Sequence, residues 1–356
     1  MDAQNQPADA RQSSEQPPVP IRPEDLPTPK LEPTSVGQLL PPPVAVPSRR
    51  QRLTWLRTLV RNRTACIGLI IVLFFILMAL LAPVIAPGDP NQFVGPPNLP
   101  PSRKYLLGTT ALGKDVFRQT VWGTRKSLVV GLGTSLLSLL IAVVVGMSAA
   151  YFRGWIDDLF TLLMNIFLVI PGTPLLIVIA GYLKPGTTTV ILALSITGWA
   201  FAARIVRSQT LSLREKDFVA LAAVRGESTA YIIFREILPN MVPIIFGLLV
   251  NGVVYGISAA TALSFLGLSS TTEVTWGTNL YWAQNGNALL MGAWWTFLPS
   301  GLCVALLAFG LALINFGMDE ATNPRLRAEK ELDHVPALKK RAFDGVRATP
   351  VLRRAH

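Results

Sequence analysis

Residues 64–86, TACIGLIIVLFFILMALLAPVIA, run for 23 positions without a charge. At 1.5 Å of rise per residue, about 20 such positions in a helix cross the hydrocarbon core of a bilayer. A segment surrounded by lipid must satisfy its own backbone N–H and C=O groups, and a run this apolar does so as a helix. Five further runs follow, at about 127–152, 157–182, 188–207, 241–263 and 294–317. The fold predicted is an all-α membrane protein with six transmembrane helices. Composition agrees, since only 15% of the 356 residues are charged, against roughly 25% in soluble domains.

Charge sets the expected orientation. Arg49, Arg50, Arg52, Arg57, Arg61 and Arg63 precede the first run with no acid among them, which places the N-terminus in the cytoplasm by the positive-inside rule. Six crossings return the C-terminus to the same side, where the tail carries Arg325, Arg327, Lys339, Lys340, Arg341, Arg353 and Arg354. Loop 267–293 holds Glu273 and no Lys or Arg, as an external loop should. Loop 87–126 disagrees, because it is expected outside yet contains Arg103, Lys104, Lys114, Arg118, Arg125 and Lys126. The domain plan that follows is a disordered Pro-rich cytoplasmic tail (1–52), a segment with the first transmembrane helix (53–87) and an external loop (88–126). After these come a transmembrane core (127–318) with a cytoplasmic loop at 208–240, and a basic cytoplasmic tail (319–356). The net charge of +11 is read as orientation and attraction to membrane lipid, not nucleic-acid binding.

Several chemistries are excluded. Cys66 and Cys303 lie inside apolar runs, and His334 and His356 both lie in the C-terminal tail, so neither a disulfide framework, a metal site nor a Ser-His-Asp constellation is available. Gly108-Thr-Thr-Ala-Leu-Gly113-Lys114 matches the start of a phosphate-binding loop, but Asp115 stands where Ser or Thr would ligate magnesium. The chain is therefore expected to bind no cofactor and to catalyse nothing. An ion-gradient-coupled secondary transporter is the alternative, but no Asp, Glu, Lys or Arg sits at the centre of a span, where such carriers place coupling sites. Asn165, Asn251, Thr261 and Asn315 are the polar residues noted within spans, candidates either for the lining of a pathway or for interhelical hydrogen bonds. Pro171 and Pro174 should bend the third span, and Gly252 and Gly256 should bring two helices close. Trp276, Tyr281, Trp282, Trp294 and Trp295 read as an interfacial aromatic belt, or as a contact surface for an external protein.

Segment 208–240, SQTLSLREKDFVALAAVRGESTAYIIFREILPN, is too polar to cross a membrane and patterned as helix, break, helix. Residues 217–225 form the first helix, Gly226 its C-cap, Glu227 and Ser228 open the second, and Pro239 ends it before the fifth span. Ala220, Ala222 and Ala223 would admit another backbone, and Tyr231, Ile232, Ile233 and Phe234 would anchor in a partner's groove.

With Gly226 as the reference glycine, Leu238-Pro239 falls where a Leu-Pro closes the EAA motif of binding-protein-dependent ABC importer permeases, and Ala220, Leu221 and Ala222 occupy the EAA positions. Ala220 replaces the usual Glu and Leu221 the first Ala. The segments RNRTACIGLII, LLGTTALGKDVFRQTVWGTRKSL and ALSFLGL, with Trp276-Gly277, Pro299 and the run from Asn323 to Arg327, narrow the likeness further. Over residues 53–327 the chain resembles the second, shorter-loop permease of oligopeptide, dipeptide and nickel importers. The resemblance implies the type I permease fold and a non-catalytic subunit in a prokaryotic inner membrane, half of a pathway for short peptides, oligosaccharides or nickel complexes. It also implies as partners a homologous second permease, two ATPase subunits or one fused, which hold the ATP and magnesium, and an external solute-binding protein. The ATPase-coupling residues it points to are Ala220, Leu221, Ala222, Gly226, Glu227, Ser228, Tyr231, Phe234, Leu238 and Pro239.

Overall fold

A computed structural model describes residues 62–322. The tails expected at 1–52 and 319–356 fall outside them, except that the last helix continues to Thr322. The helices are α1 (Arg63–Leu80), α2 (Ala82–Ile85), α3 (Val116–Phe152), α4 (Gly154–Val169), α5 (Gly172–Tyr182) and α6 (Thr187–Arg214). They are followed by α7 (Asp217–Val224), α8 (Thr229–Tyr231), α9 (Leu238–Phe265), α10 (Trp276–Asn285) and α11 (Leu298–Thr322). Among the described residues there are two isolated antiparallel β-bridges, Phe93 with Lys114 and Thr109 with Asp115.

Five helical stretches are long and apolar enough to cross a membrane, and α4 with α5 makes a sixth if that bent pair is one span. The bend is 90°. Ile170 leaves helical geometry with ψ 126°, Pro171 follows as the N-cap of α5, and Pro174 lies in the first turn of α5. A missing N–H costs nothing there, because the first N–H groups of any helix lack an intrahelical partner. Proline thus breaks the third span outright where the sequence predicts a bend.

Three boundaries correct the sequence reading. The second span begins at Val116, not near 127, so the C-terminal part of the expected external loop is helix. Asp115 is its N-cap, accepting from the Phe117 and Arg118 backbone N–H at 2.9 and 3.4 Å, which explains the acid that spoils the phosphate-loop pattern. The sixth span starts at Leu298, after a single 3₁₀ turn, Trp294–Thr296. Pro239 does not end a helix. A π-helical turn at Ile232–Ile237 carries the chain from α8 into α9, and Leu238 N–H bonds back to Ile233 C=O. This wider register shifts the ladder so that Pro239 falls in the first turn of α9, where its ring is tolerated.

The helices pack through small residues. α3 lies most extensively against α6 and then α9, and α1 against α11. A Cβ on Gly68 of α1 would stand 2.4 Å from the Gly310 carbonyl of α11, and one on Gly256 of α9 would stand 3.1 Å from Gly131 Cα of α3. Gly252 meets Ser135 in the same crossing, and Ser135 Oγ donates to Leu249 C=O at 2.7 Å. The Gly252–Gly256 pair is therefore a packing device. Trp276 departs from the belt reading: it is fully buried, edge-on to Phe75 at 5.6 Å, with Nε1 donating to Thr120 C=O at 3.1 Å. It joins α1, α3 and α10 in one core with Leu307 and Leu311 of α11.

Candidate functional site

Two features stand apart from this packing: a helical hairpin at one end of the bundle and a cavity at mid-length. The hairpin is α7 with α8 and the π turn. α7 ends at Val224, Arg225 is the C-cap, and Gly226 takes φ +79°. Gly226 N–H bonds to Ala223 C=O at 3.0 Å and Glu227 N–H to Ala222 C=O at 3.2 Å, the paired bonds of a Schellman motif. Ser228 then caps the next helix, its Oγ accepting from Tyr231 N–H at 3.3 Å. A Cβ on Gly226 would meet nothing within 4 Å. The glycine is there for its left-handed backbone, not for space.

One face of the hairpin is fixed to the bundle. Ala222, Ile232, Ile237 and Met241 are buried in a cluster with Met147 of α3 and Val206 of α6. Burying Ile232 and Ile237 contributes roughly 1.5–3 kcal/mol each. Ala222 therefore packs against its own chain and does not present a small surface to another backbone, and Ile232 also points inward. The opposite face is apolar and uncovered: Leu221, Val224 and Phe234 are 62%, 86% and 65% exposed. Ala220 and Ala223 are exposed, Glu227 and Tyr231 half-exposed, and Arg235 lies over the Tyr231 ring at 5.7 Å. A rigid element with one buried and one open apolar face can transmit a push on its outer face directly to α3, α6 and α9.

The cavity, about 610 Å³, lies between α3, α4, α5, α6 and α9. Its wall includes Ser135 and Ser138 of α3, Thr197 of α6, and Asn251 and Tyr255 of α9, and none of its lining residues is Asp, Glu, Lys, Arg or His. Phe167, Leu168, Ile170 and Gly172 also line it, so the broken span opens directly onto it. Thr197 Oγ1 donates to Ala193 C=O at 3.0 Å and is 3.3 Å from the Tyr255 hydroxyl, for which it serves as acceptor. Gly198 gives the Tyr255 ring its room, since a Cβ there would lie 2.7 Å from Cε1.

Of the four polar span residues Asn165, Asn251, Thr261 and Asn315, the cavity includes Asn251 alone. Asn165 accepts from Arg204 Nη2 at 2.7 Å, the interhelical alternative. Thr261 lies in a separate polar pocket of about 30 Å³ with Ser264, Ser269 and Glu273. Sequence reading missed Ser135, Ser138 and the Thr197–Tyr255 pair. The signal available was the recurrence of hydroxyls in α3, with Thr134, Ser135 and Ser138 in an otherwise apolar stretch.

A profile of the binding-protein-dependent transport system inner membrane component matches residues 142–328, more than half the chain, including the hairpin and the part of the cavity wall beyond α3. The chain belongs to this permease family. A second profile, the N-terminal transmembrane domain of oligopeptide transport permease C, matches residues 52–101. The dipeptide transport system permease protein DppC of Bacillus subtilis is 34% identical over 274 residues, 76% of this chain and 85% of its own length. The oligopeptide transport system permease protein OppC of the same organism is 32% identical over 291 residues, 79% and 92% of the two chains. A putative peptide transport system permease protein of Brucella suis is 34% identical over 275 residues, 77% and 92%. As a permease of this family the chain is a multi-pass membrane subunit of an ABC importer, which sets the ion-gradient-coupled reading aside.

Proposed function

We propose that this permease forms one half of a peptide translocation pathway in a prokaryotic inner membrane, and that α7, α8 and the π turn seat an ATPase subunit. The seat is supported by one observation above the others: Leu221, Val224 and Phe234 are open on one side of a hairpin whose other side is buried against three spanning helices. Gly226 sets the angle between the two arms and Ser228 starts the second. Ala222 and Leu238 hold the hairpin to the bundle, and Pro239 opens α9. ATP and magnesium belong to the partner. Closure of the ATPase dimer would displace the hairpin, and with it α3, α6 and α9, rocking the bundle between inward-open and outward-open states.

The cavity is this subunit's share of the route. Its hydroxyl and amide groups can exchange hydrogen bonds with a peptide backbone, which every peptide carries, and its lack of charged groups selects against no side-chain charge. Choice among peptides then rests with an external solute-binding protein, and a homologous second permease closes the other half. The orientation follows from the arginines before the first span, with the hairpin in the cytoplasm.

Purification of the chain from its native membrane in mild detergent, with mass spectrometry of what accompanies it, tests the reading. Recovery of a second permease and an ATPase is the expected result. A chain recovered intact and alone, under conditions that preserve other membrane complexes, would overturn it.

A further inference from the structure

Three of the six basic residues of loop 87–126 that conflict with the positive-inside rule are held by polar partners in the structure. Lys114 Nζ donates to Asn91 Oδ1 at 2.9 Å and Arg118 Nη1 to Asp89 C=O at 3.3 Å. Lys126 pairs with Glu273 at 3.4 Å, and Glu273 also accepts from the Thr187 hydroxyl. Arg125 differs: its exposed guanidinium, like that of Arg103, has no hydrogen bond or ion pair among the described residues. It lines a cavity of about 430 Å³ with Lys126, Glu273, Asn91, Trp122 and Val129, within the range of small-molecule sites, roughly 300–1,000 Å³. Two cationic heads against one carboxylate leave this cavity with a single positive charge in excess.

Helical spacing says what lies beneath it. At 3.6 residues per turn, Trp122, Arg125, Lys126 and Val129 share a face of α3 with Leu132, Leu136, Leu140 and Val144. These last four and Val129 are 43–61% exposed. From Trp122 to Val144 the face extends about 33 Å, close to the roughly 30 Å of a hydrocarbon core. Ser138, in the wall of the central cavity, lies about half a turn round α3 from Leu136, so the stripe faces away from the translocation route. Trp122 is itself anchored, with Nε1 donating to Ala86 C=O at 2.8 Å. An aromatic and cationic collar over an uncovered apolar stripe is the arrangement that holds a lipid at a membrane interface.

We propose that Arg125 and Lys126 bind the phosphate of an anionic phospholipid whose acyl chain lies along Val129, Leu132 and Leu136. A monoanionic phosphodiester supplies the missing charge, guanidinium offers it a bidentate fork, and the glycerol backbone meets Trp122. The collar lies at the end of the bundle away from the hairpin, so the lipid belongs to the outer leaflet, and its binding does not depend on the cargo. Two of the unexpected charges of this loop, those of Arg125 and Lys126, are thereby assigned a use.

Arg125→Gln tests the site without breaking any internal bond. The assembly is purified from native membranes in mild detergent, and the phosphatidylglycerol and phosphatidylethanolamine retained per chain are quantified. The variant is expected to retain about fivefold less phosphatidylglycerol with phosphatidylethanolamine unchanged, and equal retention of both would overturn the proposal. In parallel, benzoylphenylalanine at Val129 is photolysed in native membranes. A phospholipid adduct that Arg125→Gln diminishes supports the site. An adduct to another protein subunit, or a lipid adduct indifferent to Arg125, overturns it, as would displacement of the retained lipid by inorganic phosphate alone.

Discussion

Asp157 and Arg207 clasp α4 to α6 through two hydrogen bonds, Nε to Oδ1 at 2.5 Å and Nη2 to Oδ2 at 2.6 Å, with only 17% and 27% of the two side chains exposed. The bidentate geometry is the strongest form of this pair. The carboxylate also lies in the first turn of α4, where the helix dipole favours an anion. Arg204 adds a second tie, one turn away on α6, to Asn165, about two turns further along α4. The broken span is thus secured at its hairpin end while its other arm, α5, turns away at 90°.

Arg207→Ala should destabilise the chain by about 2 kcal/mol, between the values for exposed and buried pairs, because Asp157 would remain half-buried and unpaired. The reversed pair, Asp157→Arg with Arg207→Asp, should recover part of this, since the cation would then sit at a helix N-terminus. Thermal denaturation in mild detergent measures both. Equal melting temperatures for wild type and Arg207→Ala would show that the clasp contributes nothing.

At Gly226 the open surroundings and the φ of +79° predict an order set by backbone conformation and not by side-chain volume. Transport should fall in the order Gly, Asn, Ala, Val, with Ala costing the hairpin about 1 kcal/mol. Asn visits the left-handed region more readily than Ala and so ranks above it although it is larger. Uptake assays on the four chains at equal membrane abundance decide the point, and a decline that followed side-chain volume would mean that a partner packs on Gly226.

Ala222→Leu places extra methylenes in the closed cluster of Val206, Ile232, Ile237 and Met241, at a cost of about 1–3 kcal/mol. Ala220→Leu, on the exposed side of the same helix, should leave the melting temperature unchanged. The reverse result would place Ala222 at a partner surface, as the sequence alone suggests.

The spans were legible because a charge-free run of helical length has one stable form in lipid, and the hairpin was legible because a glycine after a short helix signals a Schellman turn. What sequence concealed was register. Hydropathy marks the apolar part of a helix, so the extension of α3 back to Val116 and the continuity from Thr229 into α9 were hidden by polar residues that helices carry equally well. Pro239 reads as a stop in a one-dimensional pattern, whereas the π turn before it makes the same residue a start. Trp276 shows the limit for side chains: a tryptophan in an external loop reads as interfacial until α10 is seen to fold it between α1 and α3. Among the coupling-loop residues, composition could not separate inward-facing Ala222 and Ile232 from outward-facing Leu221 and Phe234. Only the packing of α7 and the π turn against the bundle distinguishes them.

The most direct test of the account is peptide uptake by cells whose permease carries Val224→Asp and Phe234→Asp together. Both side chains are mostly exposed, so abundance in the membrane and melting temperature should match wild type. Uptake and peptide-stimulated ATPase activity of the purified assembly should fall by more than about tenfold, as charges entering a desolvated docking surface would require. Uptake at the wild-type rate from this doubly charged hairpin would contradict the claim that its open face couples the permease to ATP hydrolysis.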